Sequence, residues 1–303
     1  MPFDAARIAG LQEYLPDSVR VTSHTGGGGD AGGDIFGKLL QHVRDSHEID
    51  TPWGELSLPH YPPVSIGGVT IDLSITKHVL FVWIAALILF TIAMMAGRKN
   101  RRAMVPSGVG NLIESIVVFM RDEVVVPNMG KGGVRYMPYL LTTFLFILFM
   151  NLLGLLPYGA SATGNISVTA GLAIVSFIMI QLSAIREQGF GRYLAHLTGG
   201  VHWALWPIMI PIEVLGLFTK NFALCMRLFA NMIGGHIVIL SFIGLIFLFK
   251  TYLIAPASIG FALGVSMLEL FVAFLQAYIF TMLTSLFMGL GMQAGHAEAG
   301  ESH

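Results

Sequence analysis

Two apolar runs near the C-terminus, 211–249 and 256–291, constrain this 303-residue chain more than any other feature. As helices, their 39 and 36 residues would reach roughly 58 and 54 Å, at about 1.5 Å per residue. A bilayer core is about 30 Å thick and about 20 apolar residues cross it. Each run is therefore either a broken pair of short segments or one long, steeply inclined helix. No strong breaker lies inside either run, and Gly234-Gly235 is the one adjacent weak point. Lys250 to Ala255 reads as a short turn, and Pro256 suits the first helical position after it. The spacing predicts a hairpin of two long inclined helices over 207–249 and 256–291.

The rest of the chain fits an all-α polytopic membrane protein. Hydrophobic residues make up 54% and charged residues only 12%, against about 25% charged in an ordinary soluble domain. Mean hydropathy is +0.72. Three ordinary spans are expected at 78–97, 137–156 and 166–185, giving about five membrane-embedded helices in all. Residues 107–128 alternate apolar positions (Leu112, Ile113, Val117, Phe119) with charged ones (Glu114, Arg121, Asp122, Glu123), which suits one interfacial helix. Pro127 and Gly130 are expected to end it. The chain thus divides into a polar tail 1–77, a membrane domain 78–291 and a polar tail 292–303.

Charge bias sets the orientation. Arg98-Lys99-Asn100-Arg101-Arg102 follows the first span at once, segment 98–135 carries 7 Lys/Arg, and 186–202 carries 2. The connection 157–165 has no charge. By the positive-inside rule the N-terminal tail lies outside and the C-terminal tail is cytoplasmic. The start, Met-Pro-Phe-Asp-Ala-Ala-Arg, has no basic region leading into an apolar core, so no cleaved signal peptide is expected. Residues 1–77, with 10 Asp/Glu, 5 Lys/Arg and a Gly-rich stretch at 26–33, read as a soluble or partly disordered tail.

Several function classes drop out. A net charge of −1 gives no argument for nucleic acid. The single cysteine, Cys225, permits neither an internal disulfide nor a cysteine-based metal site and reads as a small packed residue. Gly32 to Leu39 matches P-loop spacing but puts Leu39 where a magnesium-binding hydroxyl belongs. His42 and His47 lack further ligand spacing. Neither a cofactor nor a metal is expected.

Chemistry concentrates in the long helices. Between residues 193 and 297 only Glu213, Lys220, Arg227, Lys250 and Glu269 are charged. Arg227 cannot lose its proton, and at membrane depth it costs roughly 2.5–3.5 kcal/mol on insertion scales, so an ion pathway is the default reading. Glu213, Lys220 and Arg227 are spaced by seven and, with Asn231 and Gly234, form one polar stripe. Neighbours seven apart are about 10.5 Å apart axially, which is too far for direct pairing. His236, nine residues past Arg227, faces away from the stripe. Glu269 and Gln276 share a face of the second helix. In an antiparallel hairpin closed near 253, Glu269 and His236 lie at matching depth. Both exchange protons and Arg227 does not, which makes the pair a candidate relay. Asn231 and Gln276 each also read as a residue that could hydrogen-bond between helices.

The run Arg227-Leu228-Phe229-Ala230-Asn231-Met232, with Glu213 and Lys220 upstream and Leu275-Gln276-Ala277-Tyr278-Ile279-Phe280 downstream, closely resembles subunit a of F-type ATP synthases. Phe149 to Pro157 and Asn165 to Thr169 are also similar to that family, and the resemblance covers roughly 75–290. It implies a non-catalytic stator subunit of the membrane sector, facing a ring of c subunits that each carry one buried carboxyl. Two offset half-channels would join that carboxyl to opposite sides of the membrane. Arg227 would attract the ionised ring carboxylate and block a direct leak. His236, Glu269 and Gln276 match positions lining the outer half-channel. Asn231, Glu213 and Lys220 match polar positions near the rotor face or inner exit. The c-ring, b-type stator subunits, the other synthase subunits and the lipid bilayer are the partners implied, in a bacterial inner membrane. In some bacterial relatives the acid stands at the position of His236 and the histidine at that of Glu269; here the two are exchanged. Gly154 occupies a position that is acidic in some relatives and is given no role. The competing reading is an ion-coupled secondary transporter that uses Arg227 to bind an anionic substrate, which would require paired repeats and broken helices.

Overall fold

The computed structural model describes residues 48–51, 54–57, 64–66, 69–71, 76–100, 108–156, 161–197, 205–249 and 254–300. The tail up to residue 47, with the P-loop-like stretch and His42 and His47, lies outside the described residues. So do Arg101, Arg102 and the turn residues 250–253.

Before the first helix stand two antiparallel strand pairs, β1 (Glu48–Thr51) with β2 (Gly54–Ser57) and β3 (Val64–Ile66) with β4 (Val69–Ile71). A tail read only as soluble or partly disordered therefore contains local hairpins. The sequence signal is Gly67-Gly68 between β3 and β4, the pair a two-residue hairpin loop favours. From there on, all described elements are helical. They are α1 (Lys77–Asn100), α2 (Val109–Phe119), a π-helical segment Met120–Val125, α3 (Val126–Met129), a 3-10 turn Lys131–Tyr136, α4 (Met137–Gly154), a 3-10 turn Ala162–Gly164, α5 (Ile166–Gln188), α6 (Phe190–Leu197), α7 (Trp206–Phe249) and α8 (Ala255–Gly300). Five stretches are long and apolar enough to cross a membrane: Lys77–Met95, Lys131–Gly154, Ile166–Gln188, Trp206–Ile246 and Ala255–Met292.

The 44-residue α7 runs unbroken through Pro211 and Gly234-Gly235, and α8 is continuous over 46 residues. At about 1.5 Å per residue these reach roughly 66 and 69 Å, so a core of about 30 Å contains them only if they incline or project. Their contacts run antiparallel: Asn231 meets Gln276, His236 meets Glu269, and the rings of Phe242 and Phe261 stack with centroids 5.6 Å apart. An unbroken α7 and α8 do not provide the interrupted helices of the transporter reading.

In lipid, helices gain little by hiding apolar groups and associate by close packing and hydrogen bonds. Helix α8 follows that rule. Ala273, Ala277, Thr281, Thr284, Ser285 and Gly289 are all buried, one or two per turn along one face. They let α4, α5, α7 and the α2–α3 segment approach closely. Phe144, Ile147 and Met150 of α4 fill the centre with Leu224 and Leu228 of α7 and Phe280 of α8. Ser176 and Thr284 share a buried hydrogen bond of 2.9 Å, and Ser285 donates to the Val124 carbonyl at 3.1 Å. Gln188 donates to the Gly291 carbonyl.

The interfacial segment differs from its expected form in one respect. Pro127 sits in the first turn of α3 instead of ending the helix, and Gly130, at φ 68°, ends it. Proline has no N–H, so a carbonyl one turn back loses its partner. The chain adjusts with the wider π turn just before it. The short helix α6 was not anticipated; it follows Gly189, at φ 80°, and is held by Tyr193 donating to Gln181 Oε1 at 2.6 Å. Residues 292–300, read as part of a polar tail, continue α8. Gln293-Ala294-Gly295-His296-Ala297-Glu298-Ala299 lacks proline and is rich in alanine, so polarity alone does not stop the helix.

Gly289 marks the tightest crossing. A Cβ there would come 2.0 Å from the backbone oxygen of Asn128, and backbone cannot swing aside as a side-chain tip does. Gly289→Ala is expected to cost about 3 kcal/mol and to lower the yield of folded protein. A thermal melt of the purified protein equal to wild type would refute this.

Candidate functional site

The site forms where the C-terminal end of α4 and the 161–164 turn meet the second half of α7 and the first half of α8. Glu269 of α8 is 4% exposed. Its Oε1 lies 2.9 Å from Nδ1 of His236 on α7. The same Nδ1 is 3.1 Å from the Met232 carbonyl, and Nε2 is 3.1 Å from the Gly154 carbonyl. Carbonyl oxygens only accept, so Nε2 must carry a proton to satisfy Gly154. Nδ1 faces both the Met232 carbonyl and Glu269 Oε1, and the proton between Nδ1 and Oε1 has two homes, of which only Nδ1 also satisfies Met232. With the first the pair is imidazolium and carboxylate; with the second it is neutral imidazole and carboxylic acid. The arrangement can therefore take up or pass a proton without moving either helix.

Glycine makes this approach possible. A Cβ at Gly235 would lie 2.6 Å from Glu269 Oε1, whereas one at Gly234 would meet nothing within 4 Å. The two glycines thus have opposite surroundings: Gly235 faces the pair and Gly234 faces open space with the polar stripe. On the other side, a Cβ at Gly154 would lie 2.6 Å from Ser161 Cβ and 2.8 Å from its Cα. Gly154, given no role from sequence, supplies the carbonyl that holds the imidazole and the space that admits the 161–164 turn.

That turn extends the buried polar group. Asn151, fully buried, donates to the Ala273 carbonyl at 3.3 Å and accepts from Thr163 Oγ1 at 2.8 Å; Thr163 and Ser161 hydroxyls are 3.1 Å apart. Ala273 is one turn along α8 from Glu269, so this network fixes the stretch of helix that carries the acid. Reading by charge and periodicity passed over these neutral residues, although an asparagine inside an apolar span was a signal.

Two turns along α8 from Glu269, Gln276 is 1% exposed and accepts from Asn231 Nδ2 at 2.6 Å. Gln276 Nε2 and Glu269 Oε2 are buried without a hydrogen-bond partner among the described residues. Arg227, one turn before Asn231, is exposed on the open face of α7 and has no ion pair or hydrogen bond among the described residues. It lines an open groove of about 530 Å³ between α7 and α8, together with Lys220. Glu213 stands apart from that groove: it is partly buried and lies near Tyr193 of α6, where its carboxylate adds to burial in pushing the phenol above its ordinary range. The seven site residues thus fall into an acid–imidazole pair with a buried acid, an amide pair, two cations in one groove, and Glu213 beside α6. Cys225 packs against Thr169, its Sγ 3.5 Å from the hydroxyl.

Fold and site together define an all-α polytopic membrane protein that pairs an acid with an imidazole between its long helices and presents an arginine that is exposed and without an ion pair among the described residues. A family model described as ATP synthase A chain matches residues 79–289. A protein of Chloroherpeton thalassium named ATP synthase subunit a is 53% identical over 266 residues, 86% of this chain and 78% of its own. One from Chlorobium phaeobacteroides (strain BS1), of the same name, is 51% identical over 284 residues, 92% of this chain and 82% of its own. One from Myxococcus xanthus, also so named, is 52% identical over 244 residues, 77% of this chain and 80% of its own. The chain belongs to the ATP synthase A chain family. Membership places it in proton transport and ATP synthesis at a membrane.

Proposed function

We propose that this chain is the proton-translocating stator subunit of an F-type ATP synthase membrane sector, carrying two half-channels that load and unload the carboxyl of a c-subunit ring. The observation that carries the reading is the separation of roles on α7 and α8. His236 and Glu269 sit 2.9 Å apart between the two helices, while Arg227 stands on another face of α7 with no anion beside it among the described residues. A fixed charge that never titrates cannot carry protons, but it can hold an ionised ring carboxylate and bar a direct leak. In this scheme protons enter from outside past His236, Glu269 and Gln276, and leave toward the cytoplasm past the rotor face, where Asn231, Lys220 and Glu213 lie. The N-terminus is outside and the C-terminus cytoplasmic, in a bacterial inner membrane, with b-type stator subunits bracing the chain against the ring. The carboxyl at the end of each path belongs to the partner, so this chain performs no hydrolysis or synthesis itself.

Proton flux in vesicles reconstituted with the complex tests this, measured with and without sodium. An imidazole paired with one carboxyl favours protons over a hard cation that demands oxygen ligands. Proton flux is expected, and it is expected to be indifferent to sodium. No proton flux, or flux seen only as sodium movement, would defeat the reading.

A further inference from the structure

The corner where α5, α6 and α7 pack against one another holds a buried donor and a carboxylate, neither of them answered. Gly189, at φ 80°, ends α5 and turns the chain back. Tyr193, on the first turn of α6, thereby reaches Gln181, twelve residues earlier on α5, and donates to its Oε1 at 2.6 Å. Burial, with the charge of Glu213 added, pushes this phenol above its ordinary range, so it stays protonated and serves as a donor. With Oε1 so held, the amide has one orientation, and Nε2 faces the other way. That Nε2 is shut off from solvent and has no hydrogen-bond partner among the described residues. Glu213 of α7 is partly buried and likewise has no ion pair or hydrogen bond among the described residues. Neither Gln181 nor Glu213 lines the groove of Lys220 and Arg227.

A buried N–H left without an acceptor costs more than a made hydrogen bond returns, and a carboxylate within a membrane helix needs donors. Glu213 is the carboxylate whose charge reaches the phenol bound to Gln181, so the unanswered donor and the unanswered acceptor share one corner. Polar groups farther apart than a direct hydrogen bond are joined by water, and one water between an acid and its proton acceptor is within working reach. We propose that Gln181 and Tyr193 are positioning residues of the inner proton exit: Tyr193 fixes the amide of Gln181, and the Nε2 hydrogens hold a water against the Glu213 carboxylate, through which a proton passes to the cytoplasm. The inference rests on the reading of Glu213 as part of that exit. Neither residue carries the proton itself, since an amide does not titrate and the phenol keeps its hydrogen for Oε1. A plain staple of α6 onto α5 would need only the Tyr193 bond and would leave Nε2 without a purpose.

Proton flux through the assembled complex in vesicles tests it. Gln181→Met keeps the length of the side chain and loses both polar groups. It is expected to lower flux about tenfold, the factor that one hydrogen bond to a charged group carries. Gln181→His is expected to restore flux, because a neutral imidazole accepts on one nitrogen and donates from the other. Tyr193→Phe is expected to lower it less, since the amide remains but is free to turn. The decisive comparison is a double variant. Glu213→Gln with Gln181→Met is expected to conduct no worse than Glu213→Gln alone, because the amide acts through the carboxylate. Losses that multiply, as independent sites do, would reduce the pair to a staple and overturn the inference. So would wild-type flux in Gln181→Met or in Glu213→Gln, or no recovery in Gln181→His. If Gln181→Met does not assemble, Tyr193→Phe serves in the same double comparison. The proposed function fails by a different result, the absence of proton flux in the unmodified complex.

Discussion

Replacing Arg227 with alanine is expected to leave the complex assembled and reduce ATP-driven proton pumping in vesicles to background. The side chain is exposed and makes no hydrogen bond or ion pair among the described residues, so the bundle loses little packing without it. What is lost is a charge that never titrates. Held about 4 Å from a carboxylate at an effective dielectric constant near 20, that charge contributes about 4 kcal/mol of attraction, enough to hold one ring carboxyl ionised opposite the gap between the two paths. Without it, an ionised carboxyl facing α7 is an unpaired charge in an apolar setting and protonates instead, so the two paths short-circuit and rotation is uncoupled. Arg227→Lys is a finer probe, because an ammonium in an apolar site sheds its proton where a guanidinium does not. Dye quenching driven by ATP hydrolysis measures the outcome. Quenching near wild type in Arg227→Ala would remove Arg227 from the mechanism.

The sequence showed charge and period well and neutral contacts poorly. The lengths of α7 and α8 were readable because 39- and 36-residue apolar runs without an internal breaker leave few alternatives. The facing of His236 and Glu269 could be anticipated from their distance to the turn, since an antiparallel pair of rigid rods leaves no freedom in register. The roles of glycine could not. Gly234 and Gly235 are identical in sequence, and only the close approach of α8 distinguishes the one facing Glu269 from the one facing open space. Gly154 went unassigned because its contribution is a backbone carbonyl, which no side-chain pattern reports. The same holds for the π turn before Pro127, where the carbonyl of Val124 receives both Asn128 and Ser285. Backbone groups freed by a local irregularity are satisfied by whatever element arrives, and that depends on the fold as a whole.

The acid–imidazole pair yields the second large expected effect. Glu269→Gln preserves shape and keeps an oxygen facing His236, but it leaves no group on α8 at this depth that can take a proton. A positioned proton-transfer group contributes about 100-fold or more, so passive flux through the reconstituted complex is expected to fall by about that factor. His236→Leu acts differently. It strips Glu269 Oε1 of its partner while Oε2 already has none among the described residues, and it removes the second proton-holding group from the 2.9 Å contact. The proton on α8 then has no neighbour to pass to, and flux falls again. The exchange of both residues, His236→Glu with Glu269→His, separates chemistry from placement. It restores one acid and one imidazole across the same gap, with an imidazole now set against Gly235, where there is no side chain to displace. Recovery of flux in the exchanged protein, relative to either single variant, is expected if the two groups act as one proton-holding unit. Unchanged flux in both single variants would remove the pair from the path, and failure of the exchange alone would mean that the direction of the pair, and not only its membership, is fixed by the Gly154 carbonyl.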